Sequence, residues 1–164
     1  MTIWLFIPDG NLGRYVAEQV PEKNVVLNDG YCPVHAALSA EDVKNAKKLY
    51  PKAKFLVHPE CTKDLLDEAD YIGSTSGIIQ FVDRDDEDEY IIGTESGVFY
   101  ELKKRNPDKK FYTLTPKQIC TDMKFVTLEK VLDVLQHETN EITVTEDMRQ
   151  RALIPLENML ALAK

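Results

Sequence analysis

Short apolar runs alternate with amphipathic segments along the first two thirds of this 164-residue chain. Runs such as Ile3–Ile7 and Lys54–Val57 have the length of buried strands, and each leads into a polar turn that contains proline. Between them, apolar residues recur at helical spacing; one such segment begins at Ser39, which forms a capping-box pattern with Asp42, and stops at Pro51. Strands that alternate with helices predict βαβ units, and therefore an α/β fold with parallel sheets.

The predicted strands share one form, an apolar core followed by a polar turn. They are Ile3–Ile7, Asn24–Leu27, Lys54–Val57, Asp70–Ile72, Glu89–Ile92 and Phe111–Leu114. Beyond Cys120 the pattern becomes wholly helical, with one helix at Thr127–His137 and another that begins at Thr145. The carboxyl-terminal segment therefore differs in kind from the alternating part.

An internal repeat relates two parts of the alternating region. Placing Trp-Leu-Phe-Ile-Pro-Asp (4–9) on Tyr-Ile-Ile-Gly-Thr-Glu (90–95) shifts the sequence by 86 residues. After two inserted residues, each copy reaches a cysteine, Cys32 in the first and Cys120 in the second. The repeat indicates a fold built from similar α/β modules. The same shift of 86 superimposes further pairs: Val16 on Leu102, Pro21 on Pro107 and Lys23 on Lys109.

Two turns carry the side chains best suited to chemistry. His58, Glu60 and Cys61 follow one predicted strand, and Ser74 and Thr75 follow the next. Because ligands of parallel α/β sheets bind at the carboxyl ends of the strands, both turns are candidate binding sites. Considered alone, the His-Pro-Glu-Cys turn is a candidate metal site.

The repeat separates the three cysteines into two classes. Cys32 and Cys120 take equivalent places, whereas Cys61 lies inside the His-Pro-Glu turn. An odd count without a Cys-x-x-Cys pair disfavours both a disulfide framework and a local zinc motif. Because an ordinary structural zinc or iron site needs four ligands, a metal at Cys32 and Cys120 requires further ligands.

Charge and hydropathy exclude some classes of partner. The net charge of −8 and the lack of a basic stripe disfavour nucleic acid. No apolar run approaches the roughly 20 residues of a membrane helix, and residues 1–8 do not resemble a signal peptide, so a cytoplasmic location is expected. Because Met1 leads directly into a predicted buried strand, we expect that an upstream portion is missing.

Six ordered blocks carry a family signal along nearly the whole chain. They are FIPDGNLGRY (6–15), GYCPVH (30–35), LVHPEC (56–61), GSTSG (73–77), GTESG (93–97) and CTDMKFVTLEKV (120–131). Together these blocks resemble the quinolinate synthases, the A-protein family of pyridine nucleotide (NAD) biosynthesis. The resemblance implies an enzyme, a transferase that joins iminoaspartate to dihydroxyacetone phosphate and forms quinolinate with loss of phosphate and two waters.

The resemblance also implies an architecture and a cofactor. Repeated three-layer αβα domains with parallel sheets would surround a pseudo-threefold axis, with the amino-terminal domain absent here. A 4Fe–4S cluster near the axis would be held by one cysteine from each domain and would act as a Lewis acid through one open iron. Cys32 and Cys120 match two of these cysteines, and the third is not in this chain.

The remaining matches concern substrate. His58 and Glu60 match the family's catalytic and substrate-binding pair, since an imidazole can donate a hydrogen bond to a carboxylate or phosphate and a carboxylate can shuttle a proton. Ser74 and Thr75 match a hydroxyl turn at a helix start that suits an anion. Cys61 is expected to pack in its turn and not to bind metal.

Three further side chains lie near these motifs, and the sequence alone assigns no function to them. His35 follows Cys32 closely, and Asp9 and Glu95 are equivalent turn or helix-start carboxylates in the repeat.

The implied domains are residues 1–33, the remainder of a second α/β domain; 34–115, a third α/β domain; and 116–164, the cysteine turn with closing helices. Such a chain is expected to be inactive alone unless a separate amino-terminal chain supplies the rest. Two alternatives stay open. One is a non-enzymatic α/β module that binds small molecules, and the other is an oligomer whose copies pool Cys32 and Cys120 around a metal.

Overall fold

A computed structural model describes residues 3–163 and divides the chain into two compact units, one up to Thr121 and one from Asp122. The first unit alternates strands and helices. Its elements are β1 (Ile3–Phe6), α1 (Gly10–Gln19), β2 (Asn24–Leu27), α2 (Pro33–Ala36), α3 (Ala40–Leu49), β3 (Lys54–Val57), α4 (Lys63–Leu66), β4 (Tyr71–Ile72), α5 (Thr75–Arg84), β5 (Glu89–Gly93), α6 (Val98–Arg105) and β6 (Lys110–Thr113).

Every strand pair in the described residues is parallel, which confirms the predicted α/β class with parallel sheets. β1 and β2 form a two-stranded sheet, while the other strands form a sheet in the order β4-β3-β5-β6. β4 therefore lies on one side of β3, and the chain then crosses back so that β5 lies on the other side of β3. A crevice forms at such a reversal, at the carboxyl ends of β3 and β5, where ligands of α/β sheets bind.

Side chains of the four-stranded sheet alternate between two cores, as the strand period of two requires. Phe55, Val57 and Ile91 pack on one face, with apolar residues of α3 and α4. Leu56, Tyr90 and Ile92 pack on the opposite face, with apolar residues of α5 and α6. Helices cover both faces of this sheet, so it is the middle layer of an αβα sandwich.

The two-stranded sheet is much less covered. Ile3, Leu5 and Ile7 are 62%, 66% and 69% exposed, and Trp4 is 43% exposed. α1 is nevertheless well formed, because Asp9 caps its first turn. The proposed domain boundaries at 33/34 and 115/116 stay a prediction.

The second unit is helical, as the sequence predicted. It contains a 3₁₀ turn (Met123–Phe125), α7 (Leu128–His137) and α8 (Glu146–Leu162). Thr127 caps α7 by accepting a hydrogen bond from Lys130 N at 3.3 Å. Among the described residues, no helix has both the length and the apolar character needed to cross a membrane.

Every predicted strand end lies within one residue of the observed end, and Ser39 and Asp42 form the predicted capping box. Two short elements were not predicted, α2 and the 3₁₀ turn. Each spans four residues or fewer, so neither repeats an apolar position often enough to give a periodic signal.

Candidate functional site

His58 begins the turn at the carboxyl end of β3. Its backbone N–H donates to the Gly93 carbonyl at 3.2 Å, which ties the turn to the end of β5. The side chain is half-buried, and Nδ1 accepts a hydrogen bond from the Glu60 backbone N–H at 3.3 Å. Because Nδ1 is an acceptor, the proton of the neutral ring lies on Nε2. Burial, followed by the nearby His35, lowers the pKa of His58 to about 4, so the ring is neutral at pH 7.

His35 lies beneath this turn on α2 and is buried. Its ring stacks on that of His58 with centroids 4.7 Å apart and planes inclined by 15°. Nε2 is 2.9 Å from the Thr94 hydroxyl oxygen, at the end of β5. Burial lowers the pKa of His35, against the opposing charge of Glu60. The site therefore contains two stacked, neutral imidazoles.

The side chain of Glu60 is partly buried and lies close to both rings. One carboxylate oxygen, Oε2, is 3.0 Å from His35 Nδ1 and 3.9 Å from His58 Nδ1. His35 Nδ1 lies within ion-pair distance of Oε2 but has no hydrogen-bond partner that meets the usual geometry in the described part of the chain. The backbone carbonyl of Glu60 accepts from Asn11 Nδ2 at 3.2 Å, so α1 also fixes this turn.

The groups that could hold a metal differ from those first suggested by the His-Pro-Glu-Cys turn. Ligand atoms of Cys32, His35 and Glu60 all lie within 4.8 Å of one another. Cys61 is fully buried instead, and its thiol donates to the Gly93 carbonyl at 3.6 Å. Burial raises the pKa of the Cys61 thiol to about 12, which disfavours the thiolate that metals require.

Each of the other two cysteines follows a strand, and a carboxylate holds its backbone. The Cys32 N–H donates to Asp9 Oδ2 at 2.7 Å, and the Cys120 N–H donates to Glu95 Oε1 at 3.3 Å. Both thiols are free and half-buried. The repeat found in the sequence thus corresponds to a repeated hydrogen-bond pattern.

Ser74 and Thr75 lie at the start of α5, next to the end of β4. Ser74 Oγ accepts from the Gly77 N–H at 3.1 Å and so caps the helix. Both side chains are exposed. Among the described residues, no hydrogen bond joins either of them to His58 or Glu60. The Gly73 N–H donates to the Val57 carbonyl at 3.1 Å, so the two turns follow neighbouring, paired strand ends.

Sequence reasoning gave no function to three residues that the structure places at the site, His35, Asp9 and Glu95. A signal for His35 was present in its spacing, because residues three apart share one face of a helical turn and His35 is three residues after Cys32. For Asp9 and Glu95 the signal was their equivalence in the repeat.

Comparisons with known proteins agree with the family resemblance of the six sequence blocks. A family model described as "Quinolinate synthetase A protein" matches residues 2–161. The quinolinate synthase of Caldicellulosiruptor bescii is 49% identical over 156 residues, which are 95% of this chain and 52% of that protein. Those of Clostridioides difficile and Alkaliphilus metalliredigens are 46% and 47% identical, over 98% and 95% of this chain and 53% and 52% of their own lengths.

The chain spans about half the length of these curated relatives. Within that half the match is nearly continuous, and it includes both cysteine turns and the His58–Glu60 turn. On this evidence the chain belongs to the quinolinate synthetase A protein family.

Proposed function

We propose that this chain forms the carboxyl-terminal portion of a quinolinate synthase, which joins iminoaspartate to dihydroxyacetone phosphate and closes the pyridine ring of quinolinate. The observation that carries the proposal is the pairing of the neutral imidazole of His58 with the carboxylate of Glu60, which lies beside Cys32. This pair lies within a family match that covers nearly the whole of this chain. Because the relatives are about twice as long, we propose that a separate or upstream amino-terminal portion completes the enzyme.

The proposed cofactor is a 4Fe–4S cluster held by Cys32, Cys120 and a cysteine outside this chain. The residues present fit such a group. Both thiols are free and partly accessible, and thiolates are the usual ligands of iron–sulfur clusters. When bound, the cluster would supply a Lewis acid through an iron without a protein ligand. Because free thiols need reducing surroundings, we propose a cytoplasmic location.

Substrate binding is proposed for His58 and Glu60. With its proton on Nε2, His58 can donate a hydrogen bond to a substrate oxygen without adding charge. The Glu60 carboxylate can accept a proton from a substrate carbon or nitrogen and return it to a leaving hydroxyl. Its position near two neutral imidazoles leaves that carboxylate without a cationic partner in the described site.

Ser74 and Thr75 are proposed to bind an anionic group of a substrate. They start α5, a ten-residue helix, and both are exposed. Backbone N–H groups and the positive end of the helix dipole favour an anion at such a place. A phosphate or a carboxylate fits this description.

Reconstitution tests the proposal directly. The chain is combined anaerobically with the amino-terminal half of the C. bescii enzyme, iron and sulfide. We expect iron–sulfur absorption and formation of quinolinate. Glu60→Gln should retain the absorption and lower kcat by about 100-fold or more, the usual scale for a lost proton-transfer group. His58→Gln, which displaces a hydrogen-bond donor, should retain the absorption and lower kcat by a smaller factor.

Cysteine variants provide the matched control. Cys32→Ser and Cys120→Ser should abolish the absorption, whereas Cys61→Ser should retain it. Absence of an iron–sulfur band with both halves present would overturn the proposed function. Binding of dihydroxyacetone phosphate without turnover in the completed protein would favour the alternative, a non-enzymatic small-molecule-binding module.

A further inference from the structure

We propose that Asp9 and Glu95 are positioning residues, each holding one cysteine loop through the backbone N–H of its cysteine. The loops are those of Cys32 and Cys120, and their importance rests on the proposed function, in which these thiols bind the cluster. Each carboxylate accepts a hydrogen bond from the backbone N–H of its cysteine. They act through the backbone.

In the first copy of the repeat, Asp9 uses its two oxygens for two different tasks. Oδ1 accepts from the Leu12 N–H at 2.8 Å and caps α1. Oδ2 accepts from the Cys32 N–H at 2.7 Å. The side chain is only 4% exposed. A single buried carboxylate therefore fixes the start of a helix and the backbone of a cysteine 23 residues later.

In the second copy, Glu95 likewise contacts both the helix start and the cysteine, although it bonds to the N–H two residues on and not to the one three residues on. Oε2 accepts from the Gly97 N–H at 2.6 Å, at the start of α6, and Oε1 accepts from the Cys120 N–H at 3.3 Å. The residue type differs from that of Asp9, but the linkage is the same. The two copies therefore agree in the hydrogen-bond pattern itself, not only in amino-acid sequence.

A backbone hydrogen bond accompanies each carboxylate at equivalent places. The Gly10 N–H donates to the Gly30 carbonyl at 2.8 Å, and the Ser96 N–H donates to the Gln118 carbonyl at 2.8 Å. Each donor follows its carboxylate by one residue, and each acceptor precedes its cysteine by two. Together the two bonds clamp the cysteine loop to the start of the helix in both copies.

Cys61 shows that this linkage is specific to the two equivalent cysteines. Its N–H donates to the backbone carbonyl of His58 at 3.0 Å, within a local turn. Hydrogen bonds to a carboxylate are roughly twice as strong as those between neutral groups, so they restrict the cysteine backbone more firmly. Restricting that backbone limits the directions in which Sγ can lie before any cluster is present.

The test uses the isolated chain with ¹⁵N-labelled cysteine, which should give three amide signals, from Cys32, Cys61 and Cys120. Asp9→Asn keeps one carbonyl oxygen for the helix cap but places an NH₂ group opposite the Cys32 N–H. We expect hydrogen exchange at Cys32 to accelerate about ten-fold or more, with Cys61 and Cys120 unchanged. Glu95→Gln should accelerate exchange at Cys120 alone.

Asp42→Asn is the matched control, since Asp42 forms the capping box of α3 and contacts no cysteine. It should leave the exchange at Cys32 and Cys120 unchanged. Equal exchange at Cys32 in wild type and Asp9→Asn would overturn the assignment for Asp9. A uniform acceleration of all three signals would also overturn it, because that result reports a general loss of stability.

Iron uptake separates this inference from the proposed function. With the amino-terminal half present, Asp9→Asn and Glu95→Gln should bind several-fold less iron than Asp42→Asn, with their thiols intact. If the wild-type pair of halves binds no iron, the proposed function fails. The amide exchange rates still decide whether the two carboxylates hold the cysteine loops.

Discussion

The two copies of the repeat hold their cysteine loops with similar hydrogen bonds, but their strands differ greatly in burial. In the first, β1 leads to α1, β2 and Cys32; in the second, β5 leads to α6, β6 and Cys120. Both clamp the cysteine loop through a carboxylate. Yet Ile91 in β5 is fully buried, whereas the equivalent Leu5 in β1 is 66% exposed.

The difference has a structural cause. β5 has a strand on each side and helices on both faces, whereas β1 pairs only with β2. The same contrast appears on the helices, because Leu102 of α6 is fully buried and the equivalent Val16 of α1 is only partly buried. The hydrogen bonds of the cysteine loop can therefore be the same in both copies. How deeply the strand and helix of each copy are buried depends on the other strands and helices that pack against them.

Removing the matched core side chains tests this contrast most strongly. Ile91→Ala should lower the free energy of unfolding by about 3 to 4 kcal/mol, because it leaves a cavity between two packed layers. Leu5→Ala should change it by less than about 0.5 kcal/mol, since the side chain is largely exposed. Urea unfolding of the isolated chain measures both.

Addition of the amino-terminal half of the C. bescii enzyme tests the same comparison further. If that half covers β1, the cost of Leu5→Ala should rise toward that of Ile91→Ala. A large cost of Leu5→Ala in the isolated chain would mean that the first copy is better supported than its exposure indicates.

Acid should loosen the His58 turn, whose backbone is bonded to the end of β5 in the second copy. The pKa of His58 is about 4 in the folded chain and about 6.5 in the unfolded chain, so protons favour unfolding. The stability associated with a neutral His58 is complete above pH 6.5, is lost as pH falls to about 4, and amounts to at most about 3 kcal/mol. His35, whose pKa is also lowered, acts in the same direction.

Because β3 pairs with β5, this loss should appear as lower protection of the β5 amides at pH 4 than at pH 6.5, once the slower intrinsic exchange in acid is taken into account. His58→Gln should reduce the difference in β5 amide protection between pH 6.5 and pH 4. His137→Gln, which alters an exposed histidine in the second unit, should not. Equal acid sensitivity in wild type and His58→Gln would contradict the prediction.

Gln118 gives the second copy a buried support, whereas the first copy has an exposed hydrogen bond from Asn28 Nδ2 to the Ile7 carbonyl at 2.7 Å. Its amide donates to the carbonyls of Ile92 and Thr94 at 2.7 and 2.5 Å, and its oxygen accepts from the Thr115 N–H at 2.9 Å. Gly30 is the equivalent residue and has no side chain. Gln118→Ala should cost about 2 kcal/mol, because it leaves buried backbone groups without partners.

Gly30→Ala is the matched substitution in the first copy. A Cβ there would meet only the side chain of Asn28, at 3.2 Å, so the effect on unfolding should be small. Thermal unfolding of both variants distinguishes them. Equal losses of stability would show that Gln118 does not account for the difference between the copies.

The smallest expected effect concerns the equivalent lysines. Lys109 Nζ donates to the carbonyls of Val82 and Asp85 at 2.8 and 2.6 Å, whereas Lys23 lies near Glu22 at 4.0 Å on the surface. Lys109→Met should cost about 1 kcal/mol. Lys23→Met should have no measurable effect, and the midpoint of urea unfolding provides the comparison.

Much of the fold could be predicted because its signals are local. Alternation of apolar runs with amphipathic segments located the strands, and the pair Ser39 and Asp42 located a helix start that the structure confirms. Exposure of β1 could not be predicted in this way. The run from Ile3 to Ile7 has the composition of a buried strand, and only the arrangement of sheets reveals that little covers it.

The candidate site was predictable in part for the same reason. His58 and Glu60 follow a strand directly, so their nearness to each other was expected. The stacking of His35 on His58 could not be predicted from the sequence, because it depends on how α2 packs against the ends of β3 and β5. Such contacts depend on packing between residues far apart in the sequence, and residue spacing does not predict that packing.

The exposed strand β1 also has a consequence for handling the protein. A two-stranded parallel sheet leaves an unpaired row of backbone N–H and C=O groups along each outer edge, here beside exposed isoleucine, leucine and tryptophan side chains. Edges of this kind recruit strands from other molecules. We therefore expect the chain produced alone to form inclusion bodies at high expression, and co-expression with the amino-terminal half of the C. bescii enzyme to keep it dispersed.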